Sequence, residues 1–96
     1  MSYDVRIDID ALKFLKSQDS KTRRILKDNL KKLQKNPYAS PEASTGDREK
    51  VKVNGEEIYR IHISRSYTAF YIIKQDSKEV VITDITDIDT AHKMYD

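Results

Sequence analysis

The sequence predicts an α+β fold in which a helical hairpin packs on a mainly antiparallel sheet of four to five strands. The order is β-α-α-β-β-β, with a short helix or tail at the C-terminus. Three observations lead to this fold. Apolar and charged side chains alternate over residues 3–9, apolar residues recur at helical spacing over 10–36, and short β-branched and aromatic runs fill residues 50–85. Such an arrangement favours helices gathered on one face of an antiparallel sheet.

The first strand is predicted over residues 3–9. Its apolar side chains are Tyr3, Val5, Ile7 and Ile9, and charged residues stand between them. Alternation with a period of two is typical of a strand that has one wet face. We therefore expect an edge or half-covered strand, whose charged side opposes aggregation.

Two helices with a tight connection are predicted next. We expect Asp10 to cap the first helix and Asp19 or Ser20 to cap the second. Asn36 and Pro37 should end the second helix, because a residue before proline disfavours the helical region. Each helix has one apolar stripe. The stripe residues are Ala11, Leu12, Phe14 and Leu15 in the first helix and Ile25, Leu26, Leu30 and Leu33 in the second.

After a polar connector, the C-terminal half is predicted to form the rest of the sheet. Strands are expected over residues 50–54, 58–63, 67–74 and 79–85, followed by a helical turn or tail over 90–95. Gly55 permits the turn between the first two of these strands. The run 67–74 is apolar on both faces, which predicts a central position in the sheet. Regular alternation over 58–63 places Ile58, Arg60 and His62 on one face and Tyr59, Ile61 and Ile63 on the other.

Length and composition exclude several classes of protein. The 96 residues are expected to form one domain, residues 1–96. Cysteine is absent, which excludes disulfide scaffolds, thiol nucleophiles and zinc knuckles. Two histidines are too few for an all-protein metal site, so we expect no metal and no cofactor. The longest apolar stretch has seven residues, and no apolar signal-peptide run opens the chain, so a cytoplasmic location is expected.

The net charge of +2 is unevenly distributed. Residues 20–36 contain seven basic residues and one acid, whereas residues 76–96 contain six acids and two basic residues. This asymmetry predicts one surface that meets polyanions, although a solvated helix face would have the same composition. The candidate phosphate-binding residues of the second helix are Arg23, Arg24, Lys27 and Lys31.

Two tyrosine-containing strands give the sequence its most specific pattern. The run YRIHI at 59–63 is followed by YTAFY at 67–71, and KVNG precedes both at 52–55. A basic helical hairpin comes before them, and the apolar run 80–85 and Tyr95 come after them. Over nearly its whole length, the chain thereby resembles the RelE/ParE superfamily of small toxins from prokaryotic type II toxin–antitoxin systems.

The resemblance implies one of two activities. RelE-like members are ribosome-dependent endoribonucleases that cleave messenger RNA and inhibit translation, whereas ParE-like members poison DNA gyrase. Both are held inactive by an antitoxin that wraps the toxin. We therefore expect a RelE-type toxin, with the ribosome, messenger RNA and a cognate antitoxin as partners in a possible toxin–antitoxin hetero-oligomer. We further expect an antitoxin helix in the groove between the helical hairpin and the sheet.

Metal-free cleavage of RNA needs a base, a cation that stabilises the phosphorane, and an acid for the leaving oxygen. The resemblance assigns catalytic roles to Lys52, Arg65 and Tyr95. The strand pattern adds His62 as a catalytic candidate, because an imidazole exchanges protons near neutral pH, and Arg60 as a phosphate-binding candidate, because a guanidinium matches two phosphate oxygens.

Two further lysines, Lys50 and Lys93, complete the candidate phosphate-binding residues. The chain also departs from the superfamily pattern. Thr68 stands where many RelE-like toxins have an arginine, and residues 88–91 stand where the family often has a basic element. Asp84, Asp87 and Asp89 put negative charge where a phosphate should sit. Loss of one electrostatic contact to the transition state typically costs about 10²–10³ in rate.

These departures leave other functions open. If His62, Arg65, His92 or Lys93 replaces the missing cations, the nuclease remains active. The alternatives are a ParE-like gyrase inhibitor and a catalytically degenerate homologue that retains only antitoxin and nucleic-acid binding. A third is a small ribosome-associated protein without toxic activity.

Overall fold

Five strands and two helices form the protein in a computed structural model that describes residues 3–38, 48–53, 55–64 and 66–88. The elements are β1 (Asp4–Ile7), α1 (Ile9–Ser17), α2 (Ser20–Lys31), β2 (Arg48–Val53), β3 (Glu56–Ile63), β4 (Tyr67–Lys74) and β5 (Glu79–Asp87). The predicted α+β class and the paired helices are confirmed. The helix or tail predicted over 90–95 lies outside the described residues.

The five strands form one sheet in the order β1-β5-β4-β3-β2. The pairs β2–β3, β3–β4 and β4–β5 are antiparallel, and β1 pairs with β5 in parallel. The sheet is therefore mainly antiparallel, as predicted. Strand β4 lies in its centre, which agrees with the apolar residues on both of its faces, and β1 is an edge strand of the described sheet.

The boundary between β1 and α1 differs from the prediction. Pairing of β1 with β5 ends at Ile7, and the Asp8 N–H donates to the Ile82 carbonyl at 2.9 Å. Asp8, not Asp10, is the N-cap residue of α1, and Asp10 lies in the first helical turn. Ile9, predicted on the buried side of a longer strand, instead begins the helix and is 68% exposed.

The second helix begins as predicted and ends earlier. The side chain of Asp19 caps α2 by accepting from the Thr22 N–H at 2.8 Å. This hydrogen bond lowers the pKa of Asp19, because it stabilises the carboxylate. The helix ends at Lys31, and a 3₁₀ turn (Lys32–Gln34) replaces the last predicted turn. Ile25, predicted in the apolar stripe, is 37% exposed.

The hydrophobic core lies between the helices and one face of the sheet, called here the helix face. Helix α1 packs mainly on β5, and α2 contacts β3. The buried core residues are Ala11, Leu15, Leu26, Leu30, Leu33, Ile61, Ile63, Ala69, Tyr71, Val80, Ile82 and Ile85. The opposite side of the sheet is called here the open face, and no described helix covers it.

A β-bulge changes which residues of β5 reach the open face. Tyr71 lies opposite Ile82, but its neighbour Phe70 lies opposite Asp84, so Thr83 has no partner on β4. The Thr83 hydroxyl donates to the Phe70 carbonyl at 3.3 Å. Because of the extra residue, Ile82 and Ile85 both reach the helix face although they are three positions apart. Asp84 lies beside Phe70 on the open face.

Aromatic contacts hold the segment after α2 against the helix face. The Tyr71 hydroxyl donates to the Pro37 carbonyl at 2.5 Å in a buried position. The Tyr59 ring stacks on Tyr71 with 5.7 Å between centroids, and the Tyr38 ring packs edge-on against Tyr59 at 6.0 Å. Tyr38, Tyr59 and Ile73 also line an open cleft of about 650 Å³ beside the β4–β5 turn.

Candidate functional site

The open face of β3 presents an arginine and a histidine side by side. In the β3–β4 register, Arg60 lies opposite Phe70 and His62 lies opposite Thr68. Because side chains alternate along a strand, Arg60 and His62 point away from the core residue Ile61 between them. The predicted shared face is confirmed. This pair is the centre of the candidate site.

Arg60 is held by a carboxylate of the neighbouring strand. Glu49 of β2 lies directly opposite Arg60, whose Nε donates to Glu49 Oε2 at 3.1 Å. Arg60 Nη2 donates to the same oxygen. The Arg60 side chain is 12% exposed, whereas that of Glu49 is 46% exposed. The guanidinium is therefore a largely buried cation with an accessible counterion.

His62 lies next to a buried hydroxyl. Thr68 is fully buried on the open face, and its Oγ1 lies 3.4 Å from His62 Nδ1. At this distance the contact is weak. Phe70, the next open-face residue of β4, is also fully buried, so the side chains at the centre of this face are not exposed to solvent.

Asp84 flanks Phe70 on the side away from Arg60. Burial raises the pKa of Asp84, and the negative charges of Asp10 and Asp8 act in the same direction, while a hydrogen bond with Thr83 opposes them. The shift favours the neutral acid. The Asp84 carboxyl lies two strands, or roughly 10 Å, from Arg60 across the sheet.

The structure does not bring Lys52 and Lys50 together with Arg60 and His62. In the β2–β3 register Lys50 lies opposite Tyr59, and Lys52 lies opposite Glu57, which places both lysines on the helix-face side of β2. Lys50 Nζ forms an ion pair with Glu57 at 2.8 Å. This pair raises the pKa of Lys50 and lowers the pKa of Glu57. Lys52 is exposed.

The basic residues of α2 form a separate surface. An open depression of about 330 Å³ is lined by Ser20, Arg23, Arg24, Lys27, Asp28 and Lys31. Helix α2 covers the helix face, so its solvent side lies across the sheet from Arg60. The described residues thus form two candidate phosphate-binding surfaces, and they lie on opposite sides of the sheet.

Three predicted site residues, Arg65, Lys93 and Tyr95, lie outside the described residues, and so does His92. Within the described ranges, no group of three or more acidic, histidine or cysteine side chains could hold a metal ion. Across the same ranges, no helix is long and apolar enough to cross a membrane.

Sequence reasoning missed Glu49 as part of the site. A signal for it exists, because an Asn-Gly dipeptide favours a two-residue hairpin turn. A turn at Asn54-Gly55 pairs Val53 with Glu56, and counting back along both strands pairs Glu49 with Arg60. The structure has this register. The positive φ of 82° at Gly55 fits such a turn.

Solved structures show which class of protein has this architecture. A chain of the archaeal RelE–RelB complex from Pyrococcus horikoshii OT3 superposes with a TM-score of 0.70 at 23% identity, covering 91% of this chain and 96% of that one. A chain of the RelBE2 toxin–antitoxin complex from Mycobacterium tuberculosis gives a TM-score of 0.73 at 15% identity, with coverage of 91% and 99%. The YoeB dimer from Staphylococcus aureus gives 0.67 at 18% identity, with coverage of 90% and 97%. At these identities the likeness shows a RelE-like toxin fold.

The family follows from the sequence itself. The model of the ParE toxin of the type II toxin–antitoxin system parDE matches residues 5–87, which is most of the chain. The chain therefore belongs to the ParE toxin family, within the RelE/ParE superfamily. No curated protein sequence matches it.

Proposed function

We propose that this toxin cleaves messenger RNA on the ribosome and that a cognate antitoxin neutralises it in the cytoplasm. The observation that supports this proposal is the pair of Arg60 and His62 on one face of β3. A cation and a proton-exchanging group two residues apart can serve the same phosphodiester. The partner follows from the RelE–RelB and RelBE2 complexes, in which a toxin of this fold is bound to an antitoxin.

In the proposed reaction the RNA itself supplies the nucleophile. The ribose 2′-oxygen forms a bond to phosphorus, the bond from phosphorus to the 5′-oxygen breaks, and the products are a 2′,3′-cyclic phosphate and a 5′-hydroxyl end. Arg60 stabilises the charge that gathers on the phosphorane oxygens. His62 takes the proton of the 2′-hydroxyl or donates one to the leaving oxygen. Tyr95 remains the candidate for the other proton transfer, and Arg65 remains the candidate for a second cation beside the phosphorane.

The basic depression on α2 has a different role in this proposal. Arg23, Arg24, Lys27 and Lys31 bind phosphates of ribosomal RNA, which gives salt-dependent binding without sequence readout. The ribosome then holds the message in place, so the toxin needs few catalytic groups of its own.

The test is cleavage of messenger RNA on purified translating ribosomes, mapped by primer extension. We expect Arg60→Gln to lower the cleavage rate by about 10²–10³, as for loss of a transition-state contact. His62→Gln should lower it by about 10²–10⁴, as for loss of acid–base catalysis. Arg6→Gln is the matched control, because Arg6 is also an arginine of the outer sheet surface with a carboxylate partner, Glu79, at 3.0 Å. It should stay within twofold of the wild type.

A second candidate is inhibition of DNA gyrase without RNA cleavage. It is favoured by the charges around Arg60: Glu49 pairs with it, Asp84 lies beyond Phe70, and Thr68 adds no cation. A supercoiling assay run beside the translation assay separates the two. Intact messages at a micromolar excess of the protein, together with arrested supercoiling, would replace the nuclease proposal with this one.

A further inference from the structure

Glu49 occupies the position at Arg60 that a phosphate oxygen would take. Arg60 directs two donors, Nε and Nη2, at the single oxygen Glu49 Oε2. This edge of a guanidinium is also one that binds the oxygens of a phosphate. The carboxylate and an RNA phosphate therefore compete for the same donors.

The exposures of the two side chains show which partner can leave. Arg60 is largely buried, in the row of the sheet that contains the fully buried Phe70, whereas almost half of the Glu49 side chain is exposed. Glu49 also lies on β2, the last strand in the order of the described sheet. A solvated glutamate on an edge strand can rotate into water, but the guanidinium has little room to follow it.

Two other ion pairs between described residues of the sheet are arranged differently. In the pair of Arg6 and Glu79, the arginine is mostly exposed and the carboxylate is mostly buried. In the pair of Lys50 and Glu57, both side chains are about half exposed. Among the ion pairs of the described residues, the pair of Arg60 and Glu49 combines a largely buried cation with a carboxylate that is almost half exposed.

We propose that Glu49 is a displaceable internal anion, which holds Arg60 in its binding position and sets the affinity of the open face for RNA phosphate. The proposal rests on the proposed role of Arg60 in RNA binding. Glu49 is a positioning residue here, because it acts through Arg60 and leaves when the phosphate arrives. It excludes weakly bound anions, since each must replace a carboxylate that is already in place.

The experiment compares Glu49→Gln with Glu57→Gln in the purified chain. Both changes raise the net charge of +2 by one, and both remove a paired carboxylate from the β2–β3 hairpin, but only Glu49 faces Arg60. The probe is a fluorescein-labelled 2′-O-methyl tetranucleotide, which cannot be cleaved through its 2′-oxygen, with affinity read from fluorescence anisotropy. Thermal unfolding of each variant checks the fold.

We expect Glu49→Gln to bind the probe about 2- to 5-fold more tightly than Glu57→Gln, from the usual energy of a partly exposed ion pair. Glu49→Asp keeps the charge and should bind like the wild type. Adding Arg60→Gln to Glu49→Gln should abolish the gain. Equal affinities of the two glutamine variants, a gain that survives the loss of Arg60, or no binding by any variant would each overturn the proposal.

The outcomes also separate this proposal from the proposed function. Tighter binding by Glu49→Gln without ribosome-dependent cleavage would support the displaceable anion and remove the nuclease. Cleavage that depends on Arg60, with equal binding by both glutamine variants, would do the opposite.

Discussion

Replacing Tyr71 by phenylalanine removes a buried hydrogen bond and leaves the ring in place. The Tyr71 hydroxyl donates to the Pro37 carbonyl at 2.5 Å, and both residues are buried. The ring keeps its stacking on Tyr59 at 5.7 Å, because phenylalanine has the same shape there. The change therefore removes the hydrogen bond between the segment after α2 and the central strand and keeps the ring contact.

The expected cost follows from burial. A neutral hydrogen bond stabilises a protein by about 1 kcal/mol net, but an acceptor left unpaired in the interior costs about 1–3 kcal/mol. We expect Tyr71→Phe to lower the free energy of unfolding by about 1–2 kcal/mol. For a chain of this size, each kcal/mol corresponds to roughly 4–8 °C in the melting temperature.

The measurement is urea unfolding followed by circular dichroism. Tyr67→Phe is the control, because Tyr67 is a half-buried tyrosine of the same strand whose ring packs edge-on against Phe14 at 6.0 Å. It should change stability by less than about 0.5 kcal/mol. If Tyr71→Phe costs no more than the control, with the same dependence on urea, the Pro37 contact does not stabilise the fold.

Two further predictions concern the core and the acidic residue of the bulge. Leu26→Ala should lower the free energy of unfolding by about 3 kcal/mol, because Leu26 is fully buried. Ile25→Ala is the control and should lower it by less than about 1 kcal/mol, because Ile25 is 37% exposed. Equal losses of stability in urea titrations would contradict the burial of this side of α2. Asp84→Asn should stabilise the protein at neutral pH, because burial raises the pKa of the Asp84 carboxyl in the folded state. A raised folded-state pKa contributes stability that is present below the unfolded value of about 4 and is lost as the pH rises through the folded value. The advantage of asparagine should therefore be absent at low pH, grow across that window and then level off, and a difference independent of pH would refute it.

The sequence predicted those strands whose buried and exposed faces follow from the spacing of their own apolar residues. The alternation over 58–63 gives β3 its two faces, and the apolar run 67–74 gives β4 its central position, because each face of a strand must match its surroundings. The same rule failed at residues 3–9. There the alternation continues to Ile9, but the chain already turns into α1 after Asp8.

Features that depend on distant partners could not be found by periodicity. Alternation in β2 places Lys52 and Val51 on opposite faces of the sheet. It does not show which of the two shares a face with Arg60, because that depends on the register with β3. The parallel pairing of β1 with β5 joins residues more than seventy positions apart, and nothing in either strand specifies its partner. The bulge left a trace, because Ile82 and Ile85 break the alternation of β5.

The separation of the two candidate phosphate-binding surfaces bears on how such a toxin would use RNA. The described molecule measures 33 × 30 × 28 Å, and the sheet and its core lie between α2 and the open face. A single short stretch of RNA cannot reach both surfaces, so the proposed function requires two RNA segments or one long folded RNA. Binding energy gained at α2 could then offset the exchange of Glu49 for phosphate at Arg60. A ribosome presents both segments in fixed positions, which gives a physical reason for cleavage to depend on it.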